Sequence, residues 1–286
     1  MNNDVKITPM NYLPLILSLS LTWAVTTLAS YAKLRFPRLL ITPLEEPAPS
    51  TPPAQALVNP APYLNTLIII GLITASGILI LYIARKKRNL FKILIGILIW
   101  FISFGVTSIY VLNLALIMGF QILRFWLPIA IFGASLVTYT ILMRGELASS
   151  IAASYIASGA GGTIGMSIPY WTFLILIVGI SAYDVFAVYK GHLSTLTRGE
   201  ALSLKGLTVE IGNVVIGMGD LFFYSLTVSA ILWNFGNLPA AVATVAIIAG
   251  YTLTLLLLQK RKIIPGLPIP LLGAMICAFL TKTFMA

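Results

Sequence analysis

The sequence predicts an all-α polytopic membrane protein of about nine transmembrane helices. Its 286 residues are 59% hydrophobic and only 9% charged, whereas soluble domains carry about 25% charged residues. Apolar stretches recur nine times, near 12–32, 64–84, 91–113, 124–143, 147–167, 170–189, 210–233, 238–258 and 265–285. Each is close to the about 20 residues that cross a bilayer as helix. The lysines and arginines gather in the short connections between these stretches.

The first stretch ends in Ala29-Ser-Tyr-Ala32, which loosely fits a signal-peptide cleavage site. Its apolar run is long for a signal peptide and cations follow directly, so a retained helix is expected. The connection from Ile41 to Tyr63 holds Pro-Leu-Glu-Glu-Pro-Ala-Pro-Ser-Thr-Pro-Pro. Such a run is expected to be extended or disordered, a plain linker. Apolar sequence runs almost unbroken from Ile93 to Phe120, which blurs the boundaries of the third to fifth stretches. In the fifth, Ala157, Gly161 and Gly165 recur every four residues, the pattern that lets membrane helices approach closely. The surrounding Gly159-Ala-Gly-Gly-Thr-Ile-Gly165 is no dinucleotide fingerprint: its spacing is wrong, no strand precedes it and no acidic residue follows at the needed distance. The ninth stretch opens on Ile264-Pro-Gly-Leu-Pro-Ile-Pro270, whose three prolines rule out regular helix throughout. A natural division is 1–168, the first five helices with the Pro-rich loop 33–63, and 169–286, the last four.

The net charge of +10 does not point to nucleic acid. With nine spans, thirteen of the 18 lysines and arginines fall on the N-terminal side of the membrane. The positive-inside rule then places the N-terminus in the cytoplasm and the C-terminus outside, most simply at a microbial plasma membrane. Lys33, Arg35 and Arg38 run against this assignment. The single histidine, His192, shares a loop with Arg198, Glu200 and Lys205, and the single cysteine, Cys277, falls in the last span. A metal site needs three or four ligands, so no metal and no cofactor is expected.

Two aspartates stand within apolar stretches, Asp184 in the sixth and Asp220 in the seventh. A carboxylate at membrane depth costs about 2.5–3.5 kcal/mol, so two on consecutive spans suggest a pair meeting inside the bundle. Asp184 lies six residues before Lys190, about 9 Å inside the boundary, and Asp220 ten residues after Glu210, about 15 Å inside. Consecutive antiparallel helices are usually neighbours, so contact is expected. Two carboxylates side by side in a poorly solvated site share one proton, which gives an acid and a base together. The base activates water and the acid polarises a peptide carbonyl, which suffices for amide hydrolysis without metal. Gly217 and Gly219 flank Met218 just before Asp220 and leave room beside the carboxylate. The irregular backbone at 264–270 offers free amides and carbonyls to an extended chain. Tyr183 and Tyr224 could reach the pair with a hydroxyl or pack as aromatics. Paired membrane carboxylates also suit a proton- or cation-coupled transporter or channel. An inverted repeat would then need a broken helix in the first half, and none is visible.

Tyr183-Asp184, Gly217-x-Gly219-Asp220 and the late Pro265-Gly266-Leu267 occur in that order on spans six, seven and nine. This set resembles the presenilin and signal-peptide-peptidase family of intramembrane aspartyl proteases. The segments Tyr-Asp-Val-Phe-Ala-Val, Gly-Met-Gly-Asp-Leu-Phe-Phe-Tyr-Ser and Pro-Gly-Leu-Pro-Ile are similar to the presenilin side, as in a compact microbial homologue. The resemblance implies a presenilin-like fold and an aspartic endopeptidase that cuts single-span substrates inside the bilayer. It implies Asp184 and Asp220 as the catalytic dyad, with Tyr183, Gly217, Met218, Gly219, Pro265, Gly266 and Leu267 seating substrate. Gly266 departs from the family pattern, where alanine is usual. The loop between the catalytic spans lacks the long insert that presenilins cut during maturation. The expected partners are therefore transmembrane substrates and membrane lipid. Self-association is allowed and no obligatory accessory subunit is expected.

Overall fold

The computed structural model describes residues 7–31, 42–189, 207–212, 214–259 and 264–285. Among these residues the chain forms nine helices of 18 residues or more and one two-stranded sheet. The helices are α1 (Leu13–Tyr31), α2 (Ala61–Lys86), α3 (Arg88–Met118), α4 (Trp126–Met143), α5 (Glu146–Ser167), α6 (Tyr170–Tyr189), α7 (Met218–Phe235), α8 (Asn237–Leu258) and α9 (Pro268–Met285). The strands are β1 (Thr208–Ile211) and β2 (Val214–Gly217). The loop with His192, Arg198, Glu200 and Lys205 lies outside the described residues. So do Lys6, Lys33, Arg35, Arg38, Lys190 and Lys260–Lys262.

Among the described residues seven stretches are long and apolar enough to cross a bilayer. The two long helices that fall short, α5 and α7, are the most enclosed by protein. Ser150, Ser154, Ser158, Thr163 and Ser167 on α5 are all buried, as are Ser225, Thr227 and Ser229 on α7. A helix surrounded by other helices need not be uniformly apolar, and small residues let backbones approach. A Cβ at Gly161 would stand 2.5 Å from the Phe222 carbonyl oxygen of α7, and one at Gly165 would run into the Leu226 carbonyl oxygen. With Ala157 buried on the same face, the four-residue stripe is a helix-packing surface, as the sequence suggested. The Ser229 hydroxyl donates to the Gly162 carbonyl at 2.6 Å and accepts from Thr26 of α1 at 2.9 Å. α1, α5 and α7 thus form the centre of the bundle. α2 stands at its edge, with Leu67, Leu72, Ile78 and Leu79 turned outward.

Three expectations are corrected. The Pro-rich connection is not a plain linker in its described part: after Glu46 it makes a turn and a short helix, Pro53–Ala56, and it docks on the bundle. Residues 210–217, expected as the start of the seventh span, are instead most of a β-hairpin. β1 and β2 pair antiparallel with Val209 opposite Ile216 and Ile211 opposite Val214. Val209, Ile211, Val214 and Ile216 are buried, while Glu210 and Val215 face out. That alternation, with β-branched side chains and Gly212 at φ +58° opening a two-residue link, is what a short hairpin requires. Asp220 therefore sits in the first turn of α7, not about 15 Å along a helix. Finally, α6 and α7 only brush one another; α6 packs mainly on α2 and α9, and α7 on α5 and α1.

Candidate active site

The segment just before α9 does the work that direct contact between the two aspartate helices was expected to do. Its prolines at 265, 268 and 270 keep the chain out of helix until Pro268. Pro265 and Leu267 are buried, and the backbone between them passes between α6 and α7. From one side the Leu267 amide donates to Asp184 Oδ2 at 2.9 Å. From the other, the Asp220 carboxylate lies against Gly266: a Cβ there would be 2.6 Å from Asp220 Oδ2 and 3.1 Å from its Cγ. Gly266 and Leu267 thus bring the two aspartates together, Gly266 lying against both, and the two carboxylates are close enough for their charges to interact. Both are partly accessible.

Each aspartate reaches this point for a local reason. Asp184 is five residues before the end of α6, whose buried face is Trp171, Phe173, Leu176, Ile177, Ile180 and Ser181. Asp184 follows that face by one turn, at i+4 from Ile180. Asp220 is the third residue of α7, placed there because β2 ends at Gly217 in extended backbone (φ −67°, ψ 133°) and the helix starts at once. The Met218 amide donates to the Leu207 carbonyl at 3.0 Å, which locks the base of the hairpin to the first residue of α7. A Cβ at Gly217 would lie 3.4 Å from Asp220 Oδ2, an ordinary contact, whereas nothing lies within 4 Å of one at Gly219. Gly219 is exposed and leaves open space beside the carboxylate. Tyr183 and Met218 are half-buried against the main core.

Tyr224 has a more direct part. Its hydroxyl donates to the Gly266 carbonyl at 2.7 Å, and the side chain is buried. It stands four residues after Asp220, on the same face of α7, so the helical period already placed it beside the carboxylate. Gly266 is consequently held on three sides: by Tyr224 at its carbonyl, by Asp220 at its Cα, and by Asp184 through the next amide. The Tyr224 ring in turn meets Tyr251 of α8 edge-on at 6.5 Å.

Far from this point, Glu46 caps the opposite end of α6. Its carboxylate accepts from the Trp171 amide at 2.9 Å and from the Thr172 amide and hydroxyl at 2.8 Å each. Those amides have no partner within the helix, and a carboxylate there also meets the positive end of the helix dipole. The Trp171 indole donates to the Ala48 carbonyl at 3.2 Å. Asn65 of α2 both accepts from the Leu44 amide and donates to its carbonyl. No local pattern in a Pro-rich segment announces a cap 125 residues away.

Among the described residues no three His, Cys, Asp or Glu side chains converge. Among the described residues the site offers two carboxylates, the backbone amides of the turn before α9 and the strand β2 leading into Asp220.

Comparison with known proteins agrees with this architecture. The profile described as signal-peptide peptidase, presenilin aspartyl protease matches residues 36–209. Presenilin-B of Dictyostelium discoideum is 33% identical over 132 residues, 41% of this chain, and the match spans about a quarter (27%) of that relative's length. Two solved structures of a presenilin family intramembrane aspartate protease superpose on the chain. The one in space group C222 has a TM-score of 0.63 at 22% identity, covering 98% of this chain and all of the other. The one in P2 has a TM-score of 0.62 at 24% identity over 96% of this chain. At these identities the structures speak to the fold.

Proposed function

The chain belongs to the signal-peptide peptidase and presenilin aspartyl protease family, and from that premise we propose that it is an intramembrane aspartic endopeptidase with Asp184 and Asp220 as its dyad. The observation that carries the assignment is the meeting of both carboxylates at Gly266–Leu267. One carboxylate, unprotonated, takes a proton from water as the water oxygen attacks the scissile carbonyl carbon. The other, protonated, gives its proton to the carbonyl oxygen, leaving a neutral gem-diol and reversed protonation of the pair. Collapse of the diol breaks the C–N bond: one hydroxyl proton returns to the pair and the amide nitrogen takes a proton from it. The Leu267 amide holds Asp184 in orientation throughout. Open space at Gly219 admits water and substrate.

A peptide bond inside a helix is shielded, so the substrate span must unwind to reach the dyad. The hairpin supplies a place for the unwound chain. The bond from Met218 to Leu207 sets the pairing so that 209 and 216, and 211 and 214, exchange bonds with each other. The N–H and C=O groups of Val215 and the C=O of Gly217 therefore point to the other edge of β2, where the Gly217 N–H faces the Asp220 carboxylate. Among the described residues no strand pairs with that edge. An extended substrate segment adding there runs directly alongside Asp220. Pro265, Gly266 and Leu267 close the site from α9, and Tyr183 and Met218 line it. Single-span membrane proteins are the substrates, with the N-terminus of the enzyme cytoplasmic and the C-terminus outside. Self-association is allowed and no obligatory accessory subunit is needed. Family membership favours hydrolysis over the transport reading of the same aspartates.

The test is cleavage of a single-span model substrate by the purified chain in lipid vesicles, wild type beside Asp220→Ala, read by product mass. Products ending within the span, and missing from the mutant, are expected. A folded wild type that leaves every such substrate intact would overturn the proposal.

A further inference from the structure

The hairpin that leads into Asp220 is held by a side chain that takes no part in the proposed chemistry. Asn11, in the 3-10 turn Pro9–Tyr12, is 1% exposed. Its Nδ2 donates to the Ile211 carbonyl at the tip of β1, at 3.0 Å. Its Oδ1 accepts from the Thr8 amide at 2.7 Å and the Thr8 hydroxyl at 2.9 Å, which fixes which side of the amide faces the strand. Its own carbonyl accepts from the Tyr251 hydroxyl at 3.0 Å. Tyr251 is the residue whose ring meets Tyr224, and Tyr224 holds Gly266. One unbroken run of contacts therefore connects the tip of the hairpin, through Asn11 and α8, to the backbone turn that lies between the two aspartates. On the outer side of the tip, Glu146 Oε2 accepts from the Gly212 amide at 3.0 Å.

We propose that Asn11 is a positioning residue that sets which peptide bond of the substrate is cut, with Glu146 as a second, weaker tether on the same hairpin. This rests on the protease reading above. The physical reason is the two-residue period of a strand: an added chain pairs in discrete registers, and a shift of one register moves a different bond to the dyad. The strand edge can select a register only if it is itself fixed relative to Asp184 and Asp220. At the Asp220 end the chain fixes it covalently. At the tip Ile211 and Val214 pack into the core, and among the described residues the polar ties are the Asn11 amide to Ile211 and the Glu146 carboxylate to Gly212. A two-stranded hairpin is marginal by itself, so these ties matter more than they would in a large sheet.

The experiment uses the full-length chain in lipid vesicles with the same model span. Asn11→Ala, Glu146→Ala and Glu146→Gln are compared with wild type for product masses and for amide hydrogen exchange of β1 and β2. Asn11→Ala should raise hairpin exchange about fivefold or more, the effect of one lost hydrogen bond. It should also spread cleavage to neighbouring bonds, changing the ratio of major to minor product at least about threefold. Glu146→Ala should do the same to a smaller extent, and Glu146→Gln, which keeps an acceptor, should restore the wild-type ratio. Trp23→Phe removes a 3.0 Å bond from α1 to Thr244 of α8 and serves as a control for general loosening; its products should match wild type. Raised exchange with an unchanged product pattern overturns the register role. Unchanged exchange in both Asn11→Ala and Glu146→Ala overturns the tether. If Asn11→Ala does not fold, the two Glu146 variants decide the matter by the same readouts. A wild type that cuts nothing overturns the protease reading, and the exchange data then decide the tether alone.

Discussion

α6 and α7 each deliver one aspartate to the same backbone turn, yet they are held in opposite ways. α7 is buried without interruption from Phe223 to Leu232, clasped by the glycine face of α5 and bonded through Ser229. α6 buries one face only. Val178, Val185 and Phe186 are exposed, and polar contacts fix its two ends, Glu46 at one and the Leu267 amide near the other. Asp220 is therefore placed by packing and Asp184 by end contacts. The proposed dyad thus has one carboxylate set by the core and one set by ties that single substitutions can cut.

The largest expected effect removes the chemistry from both halves alike. Asp184→Ala or Asp220→Ala should lower cleavage about 10³-fold or more, while thermal unfolding stays near wild type. Residual turnover in one mutant alone would mean that the two aspartates do not act as a pair. Next, the packing of α7 can be attacked directly. Gly165→Leu forces a side chain into the Leu226 carbonyl and should cost about 3 kcal/mol, measured by unfolding in detergent. Gly77→Leu on α2, where nothing lies within 4 Å, should stay within about 0.5 kcal/mol. Equal losses at the two sites would erase the distinction between centre and edge.

Glu46→Ala tests the other half. Loss of a cap that satisfies two amides should cost about 1–2 kcal/mol and lower activity through Asp184. An unchanged melting temperature would show that α6 does not depend on its cap. Tyr224→Phe leaves the Gly266 carbonyl without its donor and should slow cleavage about fivefold, the worth of roughly 1 kcal/mol. Gly266→Ala should act on the same scale. The new methyl meets the end of the Asp220 side chain rather than backbone, so the carboxylate can rotate aside. A strained rotamer costs about 0.5–1.5 kcal/mol, so a two- to tenfold change in rate is expected, with activity kept. Complete inactivation would show that Asp220 has no freedom to yield.

The same contrast explains what the sequence could and could not disclose. Asp184 and Asp220 were legible because a carboxylate in an apolar run is conspicuous. The Ala157/Gly161/Gly165 stripe was legible because a four-residue period is local. The hairpin was half-legible: Gly212-Asn213 between β-branched residues is a turn signal. It lay at the edge of an apolar stretch, where length argued for helix. Glu46 and Asn11 were not legible at all, since their partners are 125 and 200 residues away in sequence. Neither gives any local period to read. The meeting of the aspartates was anticipated through helix–helix contact, whereas it occurs across the Pro265–Leu267 turn. Tertiary ties of this kind leave no trace in spacing.

The hairpin also bears on how the chain enters the membrane during synthesis. With β2 ending at Gly217, Asp220 stands about 3 Å along α7, and Asp184 is about 8 Å from the matching end of α6. The burden of a charge on insertion falls as it nears the interface. α6 thus keeps an uncharged, apolar remainder for the translocon to recognise, and both carboxylates stand near a helix end, in reach of headgroups and water. The two acidic residues need not enter the bilayer interior until the bundle around α5 has assembled to receive them.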